Sequence, residues 1–361
     1  MPKLCVVAIP VRDEVERIGG CLAALARQSV PADHIVLLLN NCTDRTADLV
    51  RSLPRAHHRL HIIECNLDEP LASAGLARAL AMKHAASLAA SSPNQEAVIL
   101  TTDADAEVPE NWIEANLQAI EQGADAVCGV AAIDPLEALF IPRHLHEDDA
   151  REVAYARLLD EIASMILPDP ADPWPRHTED SGASIAIRAS MLRRVGGMPC
   201  LPSGEDRALI GRLRLIDARV RHDPRISVVV SGRIEGRAQG GMADTMRRRI
   251  VKQDEFVDNR IEPAWAAFYR LRMKRRISLL WQGPTDVRLY QLARLLAIAP
   301  KVLKEAVSTP YFGLAWLRIE RVSPLLSQRQ VRFVDLLRET AIARGIHRRL
   351  STEYAAELTA A

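Results

Sequence analysis

Two carboxylates one residue apart, Asp103 and Asp105 in the run Thr101-Thr102-Asp103-Ala104-Asp105, follow directly on an apolar stretch. Hard divalent ions such as Mg2+ and Mn2+ take oxygen ligands and keep positions open for substrate phosphates, which strand-end carboxylates can provide. The same residues also end strands and cap helices, so the pair alone leaves both readings open. Two further polar clusters stand after apolar runs: Pro10-Val11-Arg12-Asp13-Glu14 and Asn40-Asn41-Cys42-Thr43-Asp44-Arg45-Thr46. Each carries donors and acceptors suited to a base and ribose, and each is also ordinary turn and cap chemistry. Their order along the chain with the D-A-D run is the informative feature.

The elements that must position these residues follow from hydrophobic pattern. Leu4–Ile9, Ile35–Leu39, His61–Glu64 and Ala97–Leu100 read as short strands, and Ala126–Val130, Ala183–Arg188 and Ile226–Val230 follow later. Helical spacing over Val15–Gln28, Ala47–Leu53, the Ala-rich Leu76–Ala90 and Trp112–Gln122 separates the first strands. Strand and helix in alternation predict an α/β fold with a parallel sheet, and ligands in such sheets bind at the carboxyl ends of the strands. Asp148–Leu167 reads as one long helix. Beyond Met242 the chain is helical in character and cut by Pro263, Pro284, Pro300, Pro310 and Pro324. The expected domains are residues 1–244 and a helical region, 245–361.

Four ordered segments, VVAIPVRDEVERIGGCLAALARQS, VLLLNNCTDRTADLV, ILTTDADAEVPENWI and SGASIAIRASMLRRVGGMPCLPSGEDRALIGRLR, resemble the GT-A glycosyltransferases of family 2. The resemblance covers about residues 4–215 and implies a Rossmann-like nucleotide-diphospho-sugar transferase domain with a C-terminal helical extension. It implies that Pro10, Arg12 and Glu14 lie on the base side of a donor pocket. Asn41 stands where the family usually has an Asp, a departure that leaves the base unspecified. Arg78, in Ser73-Ala74-Gly75-Leu76-Ala77-Arg78, matches a basic position near the donor; the alternative is a surface arginine on an Ala-rich helix. Asp103 and Ala104 would face the donor. Asp105, with Asp103, would hold Mg2+ or Mn2+ at the diphosphate. Asp206 matches the general base for an acceptor hydroxyl, with Glu205 orienting it, against a plain reading of both as acids complementing a helix dipole. In the Gly-containing segment 231–241, Arg233 and Arg237 are placed to meet the diphosphate. His222, beside Asp223, reads as a surface histidine in preference to an additional metal ligand, and residues 177–184 read as an exposed substrate loop.

The implied activity is metal-assisted transfer of a sugar from a nucleotide-sugar donor to a hydroxyl of a small or soluble acceptor, and the course the resemblance implies is a single inverting displacement. The alternatives are a nucleotidyltransferase, disfavoured because PVRDE lacks a Gly-rich triphosphate loop, and a catalytically silent nucleotide- or partner-binding protein. No G-x-G-x-x-G follows the first strand, which disfavours a dinucleotide-dependent dehydrogenase.

Composition sets the remaining bounds. With 48% apolar and 26% charged residues the 361-residue chain can bury a sizeable core. Its net charge is +1, but residues 1–244 hold 25 basic against 35 acidic side chains and residues 245–361 hold 22 against 11. A broadly basic nucleic-acid binder is excluded, whereas the clusters Arg247–Arg249 and Lys274–Arg276 leave open a homodimer or peripheral contact with acidic lipid. Six cysteines without C-x-x-C or zinc-ligand spacing read as reduced, packed thiols. No signal peptide or membrane helix is expected, and the expected location is cytoplasmic.

Overall fold

The computed structural model describes residues 4–53, 59–68, 72–91, 96–234 and 242–360. The seven strands are β1 (Leu4–Val11), β2 (His34–Asn40), β3 (Arg59–Cys65), β4 (Ala97–Thr101), β5 (Ala126–Ile133), β6 (Ile185–Arg188) and β7 (Val220–Val230). Fourteen α-helices are described: α1 (Ile18–Ala26), α2 (Thr46–Ser52), α3 (Ala74–Ala90), α4 (Trp112–Glu121), α5 (Pro135–Ala138), α6 (Arg143–Ile166) and α7 (Ala189–Arg194) in the first half. The rest are α8 (Glu205–Leu215), α9 (Met242–Val251), α10 (Ala264–Gln282), α11 (Asp286–Leu295), α12 (Pro300–Val307), α13 (Phe312–Val322) and α14 (Leu336–Ala360). The α/β class and the helical C-terminal extension expected from the sequence are both present.

Apolar runs without alternation belong to strands covered on both faces, and β1, β2 and β4 are such strands, almost wholly buried. The sheet order is β3-β2-β1-β4-β6-β5-β7. Strand β1 pairs in parallel with β2 and β4, and β2 with β3. Strand β6 runs antiparallel to both β4 and β5, and β7 is parallel to β5. One sheet edge therefore gathers the carboxyl ends of β1, β2, β4 and β7 together with the amino end of β6. The D-A-D residues follow β4 at that edge. The side chains of Ile9, Ile35, Leu37 and Ile99 are fully buried, each stabilising the fold by roughly 1.5–3 kcal/mol relative to exposure.

Strand β7 begins six residues earlier than the sequence predicts. Pro224 lacks a ladder donor, yet the strand continues through it because the β5–β7 register slips between Cys128 and Val130 and Pro224-Arg225 stays exposed at the sheet edge. An edge strand at a bulge is where a proline is tolerated.

The described chain divides into two compact units: Met1–Pro142, Pro175–Leu213 and Ala218–Val251 form one, and Arg143–Trp174, Arg214–Asp217 and Lys252–Ala361 the other. The first contains the whole sheet. The second is helical, with one apolar cluster around Ile277, Leu280, Leu296 and Leu303 and another around Tyr155, Ile162, Ala264 and Ala343. Helix α10 contributes to both clusters, and Tyr155 donates its hydroxyl hydrogen to the Glu262 carbonyl at 2.8 Å. Among the described residues no helix is long and apolar enough to cross a membrane.

Candidate active site

The loops at the functional edge are laced by their own acids. Asp13, at φ +52°, accepts from the backbone of Thr43 at 2.6 Å and of Asp44 at 3.1 Å. Asp44 in turn accepts from Val15 N at 3.2 Å and Thr46 N at 2.9 Å. Asp and Asn occupy this left-handed region more readily than other residues with a Cβ, because their short polar side chains bond locally. Asn41, at φ +51°, does this with Leu67: Nδ2 donates to its carbonyl at 3.0 Å and Oδ1 accepts from its amide at 2.9 Å. Most of the Asn41 amide is thereby engaged with backbone. Arg12 donates to the Ala72 carbonyl at 2.9 Å, which ties the loop after β1 to the start of α3. Pro10 lies within β1, half-buried opposite Leu38.

Glu14, Asp105 and Arg233 meet at one corner of this edge. Both Nη atoms of Arg233 donate to the buried Glu14 carboxylate, one of them at 2.8 Å, and Arg233 Nη2 also lies 3.2 Å from Asp105 Oδ2. Two contacts bring Arg233 there. Glu107 forms an isolated antiparallel bridge with Val229, which fixes the tail of the D-A-D loop against β7. Glu137 accepts from the Gly232 amide at 2.6 Å and the Ser231 hydroxyl at 3.0 Å, while Arg17 donates to its other oxygen at 2.7 Å. Burial pushes the Asp105 carboxyl up to about 6, reinforced by Asp103 and Glu14 and opposed by Arg233. Ala104 turns its methyl into the core between the two acids. Arg237 lies outside the described residues.

Arg78 is the second organising centre, and it is not on the surface: the residue is 5% exposed. Its Nε donates to Glu205 Oε1 at 2.9 Å, Nη1 to Thr101 Oγ1 and the Gly182 carbonyl at 2.9 Å each, and Nη2 to Asp103 Oδ1 at 2.5 Å. Burial by itself lowers a guanidinium pKa, but Asp103 and Glu205 more than offset this and Arg78 lies above its ordinary value. Glycine is required at two points of this assembly. A Cβ on Gly75 would sit 2.1 Å from the Leu201 carbonyl, and one on Gly182 would sit 2.7 Å from the Arg78 guanidinium. Gly182 N also donates to Asp206 Oδ2 at 2.9 Å, and Arg207 N donates to Oδ1 at 2.7 Å. The chain Asp103–Arg78–Gly182–Asp206 thus connects the D-A-D loop to the start of α8.

Sequence reasoning locates Asp103, Asp105, Glu205 and Asp206 but misses the roles of Thr101, Glu137 and Gly182 in holding them. No local pattern signals these three, because their partners lie far along the chain. Residues 177–184 are not an exposed loop: Asp180, Ala183 and Ser184 are buried. His222 is likewise buried, 4% exposed, and its ring nitrogen lies 3.1 Å from Asp180 Oδ1, so the surface reading does not hold.

The family model of glycosyl transferase family 2 matches residues 6–190, a span that runs from within β1 through β6 and includes the D-A-D loop and Arg78. The chain belongs to glycosyl transferase family 2. The family expected from the sequence is therefore correct, and the matched span ends before Glu205 and Asp206. This glycosyltransferase uses a nucleotide-sugar donor. No curated protein matches the chain. Among solved structures it is similar to S. aureus TarS residues 1–349 in complex with UDP, at 14% identity and TM-score 0.45, covering 99% of this chain and 92% of that one. It is similar as well to the mannosyltransferase PcManGT from Pyrobaculum calidifontis in complex with GDP-Man and Mn2+, at 18% identity and TM-score 0.44, covering 99% and 81%.

The donor set at the D-A-D loop fits a hard divalent cation. Asp103 and Asp105 offer only carboxylate oxygens, and their side chains are 34% and 17% exposed.

Proposed function

We propose that this glycosyltransferase transfers the sugar of a nucleoside-diphosphate donor to an acceptor hydroxyl by a single inverting displacement, with Asp206 as general base. The observation that carries the reading is Arg78, whose one buried guanidinium holds Asp103 on the donor side while its bonds to Gly182 and Glu205 hold the start of α8. Each Asp206 oxygen accepts one backbone N–H and retains a further lone pair for a hydroxyl hydrogen. Taking that proton as the hydroxyl attacks the anomeric carbon contributes typically ~10²–10⁴-fold in rate. Glu205 acts through α8: its ion pair with Arg78 fixes where Asp206 stands.

On the donor side, Asp105 and Asp103 are the residues that would hold Mg2+ or Mn2+. Such an ion supplies positive charge that stabilises the departing nucleoside diphosphate. Arg233 brings a second positive charge to the same corner, and Pro10 near the end of β1, Arg12 just after it and Asn41 just after β2 stand where the family resemblance assigns the nucleotide. The acceptor is a hydroxyl-bearing compound.

Asp206→Asn tests the assignment. Titration calorimetry with nucleoside diphosphate and Mn2+ should give unchanged donor binding, while product formation falls by ~10²–10⁴-fold. Transfer at the wild-type rate would remove Asp206 from the mechanism.

A further inference from the structure

The β5–β7 register sets Cys128 directly opposite His222. Side chains on paired residues of neighbouring strands point to the same face. Asp180, in the segment ahead of β6, completes a triangle: a Cys128 sulfur, an Asp180 carboxylate oxygen and a His222 ring nitrogen all lie within 4.8 Å of one another, and all three residues are buried. The His222–Asp180 separation of 3.1 Å is close to the edge of a tetrahedron of ligands about 2.0–2.2 Å from a zinc ion. His177 stands beside this group with its ring edge-on to His222, 5.5 Å between centroids. Its Nε2 lies 3.1 Å from the Cys128 carbonyl and its Nδ1 accepts from Glu179 N at 3.1 Å, so both ring nitrogens are engaged with backbone and the ring serves as a wall.

We propose that Cys128, Asp180 and His222 form a binding site for a borderline-soft divalent ion of the zinc class, separate from the D-A-D carboxylates. The chemistry of the ligands separates the two sites. An all-oxygen set suits Mg2+ or Mn2+, whereas one thiolate, one imidazole and one carboxylate suit zinc. Binding replaces the Cys128 thiol proton, which passes to solvent, by a metal–sulfur bond. The site has a structural consequence for catalysis. Asp180 is two residues from Gly182, whose carbonyl and amide hold Arg78 and Asp206. An ion joining Asp180 to β5 and β7 fixes the segment from which that backbone departs.

Full-length protein expressed with zinc in the medium and then dialysed against Mg2+ should retain one zinc per chain by elemental mass spectrometry. Cys128→Ala and Asp180→Asn should each lose it, while Cys200→Ala, at an exposed cysteine, should keep it. Protein produced with Co2+ in place of zinc should show a near-ultraviolet thiolate-to-cobalt charge-transfer band that vanishes in Cys128→Ala. Should that variant fail to fold, the same band in wild type and its loss in Asp180→Asn decide the matter. Wild-type protein without bound zinc, or a cobalt band that survives both substitutions, overturns the proposal.

Discussion

Arg233 Nη2 lies 3.2 Å from Asp105 Oδ2, so the protein itself supplies a cation to the carboxylate expected to receive the divalent ion. On the proposed metal assignment the two cations would compete for Asp105, with the charge on Glu14 keeping Arg233 nearby. Arg233→Ala should therefore bind Mn2+ more tightly in the absence of donor, on the order of tenfold, and transfer sugar more slowly. Calorimetric titration of Mn2+ into the two proteins measures the first effect. Weaker Mn2+ binding by the variant would mean that Arg233 supports the ion and does not compete with it.

The elevated Asp105 pKa makes a stability prediction with a definite sign. The folded value is about 6 against an ordinary 3.8, so the native state binds the proton more tightly than the unfolded chain does. That contribution is fully present below about pH 3.8 and is lost as pH rises through about 6; at neutral pH the ionised group costs up to about 3 kcal/mol. Asp105→Asn should accordingly melt at a higher temperature than wild type at pH 7.5, and the difference should shrink between pH 6 and 4. Thermal melts across that range measure it, and a pH-independent difference would show that the acid is not strained by its surroundings.

Removing the guanidinium from Arg78 leaves Glu205 buried and Asp103 half-buried without their cation. Breaking such a pair by deleting one partner costs about 3–5 kcal/mol, so Arg78→Met should lower Tm sharply. Arg78→Lys keeps the charge but presents a point donor where the structure uses a planar fork reaching four acceptors. We expect this variant to recover part of the stability while transfer stays depressed about 10²-fold, the scale of a displacement of about 1 Å at the reacting groups. Denaturant unfolding and rate measurement on the same preparations separate the two effects.

Gly75→Ala is the smallest change that reaches the same assembly. Its methyl would meet the Leu201 carbonyl at 2.1 Å and Glu205 Oε2 at 2.7 Å, pushing α3 away from the start of α8. Overpacking of this kind costs about 1–3 kcal/mol. Gly211→Ala, on a helix with open space around its Cβ position, is the control and should leave Tm unchanged or raise it. Equal Tm for Gly75→Ala and wild type would contradict the close packing there.

Much of this architecture was legible in the sequence because local pattern and burial agree. The runs at Leu4, Ile35 and Ala97 are continuous and apolar, and they became the buried centre of the sheet. The acids at 103, 105, 205 and 206 were legible because each follows a strand or opens a helix. Arg78 matches a basic position near the donor, but its burial and its role as a hub were not legible, since its sequence neighbours are alanines and its partners come from residues 101, 103, 182 and 205. The same holds for His222, whose neighbour Asp223 pairs instead with Arg225 while Asp180 approaches from 42 positions away. The first six residues of β7 contain a proline, which excludes a regular ladder, and only the register slip at Gly129 shows how the strand runs through it.

The Glu14–Arg233 pair spans 219 positions of sequence. Contacts between distant parts of a chain require closure of long loops and form slowly. A nascent chain emerging from its N-terminus can assemble β1 through β4 and present both D-A-D acids well before Arg233 has been synthesised. The corner of Glu14 and Asp105 is thus among the last parts of the sheet unit to be completed, and a growing chain holds these two acids without their shared arginine until β7 has docked.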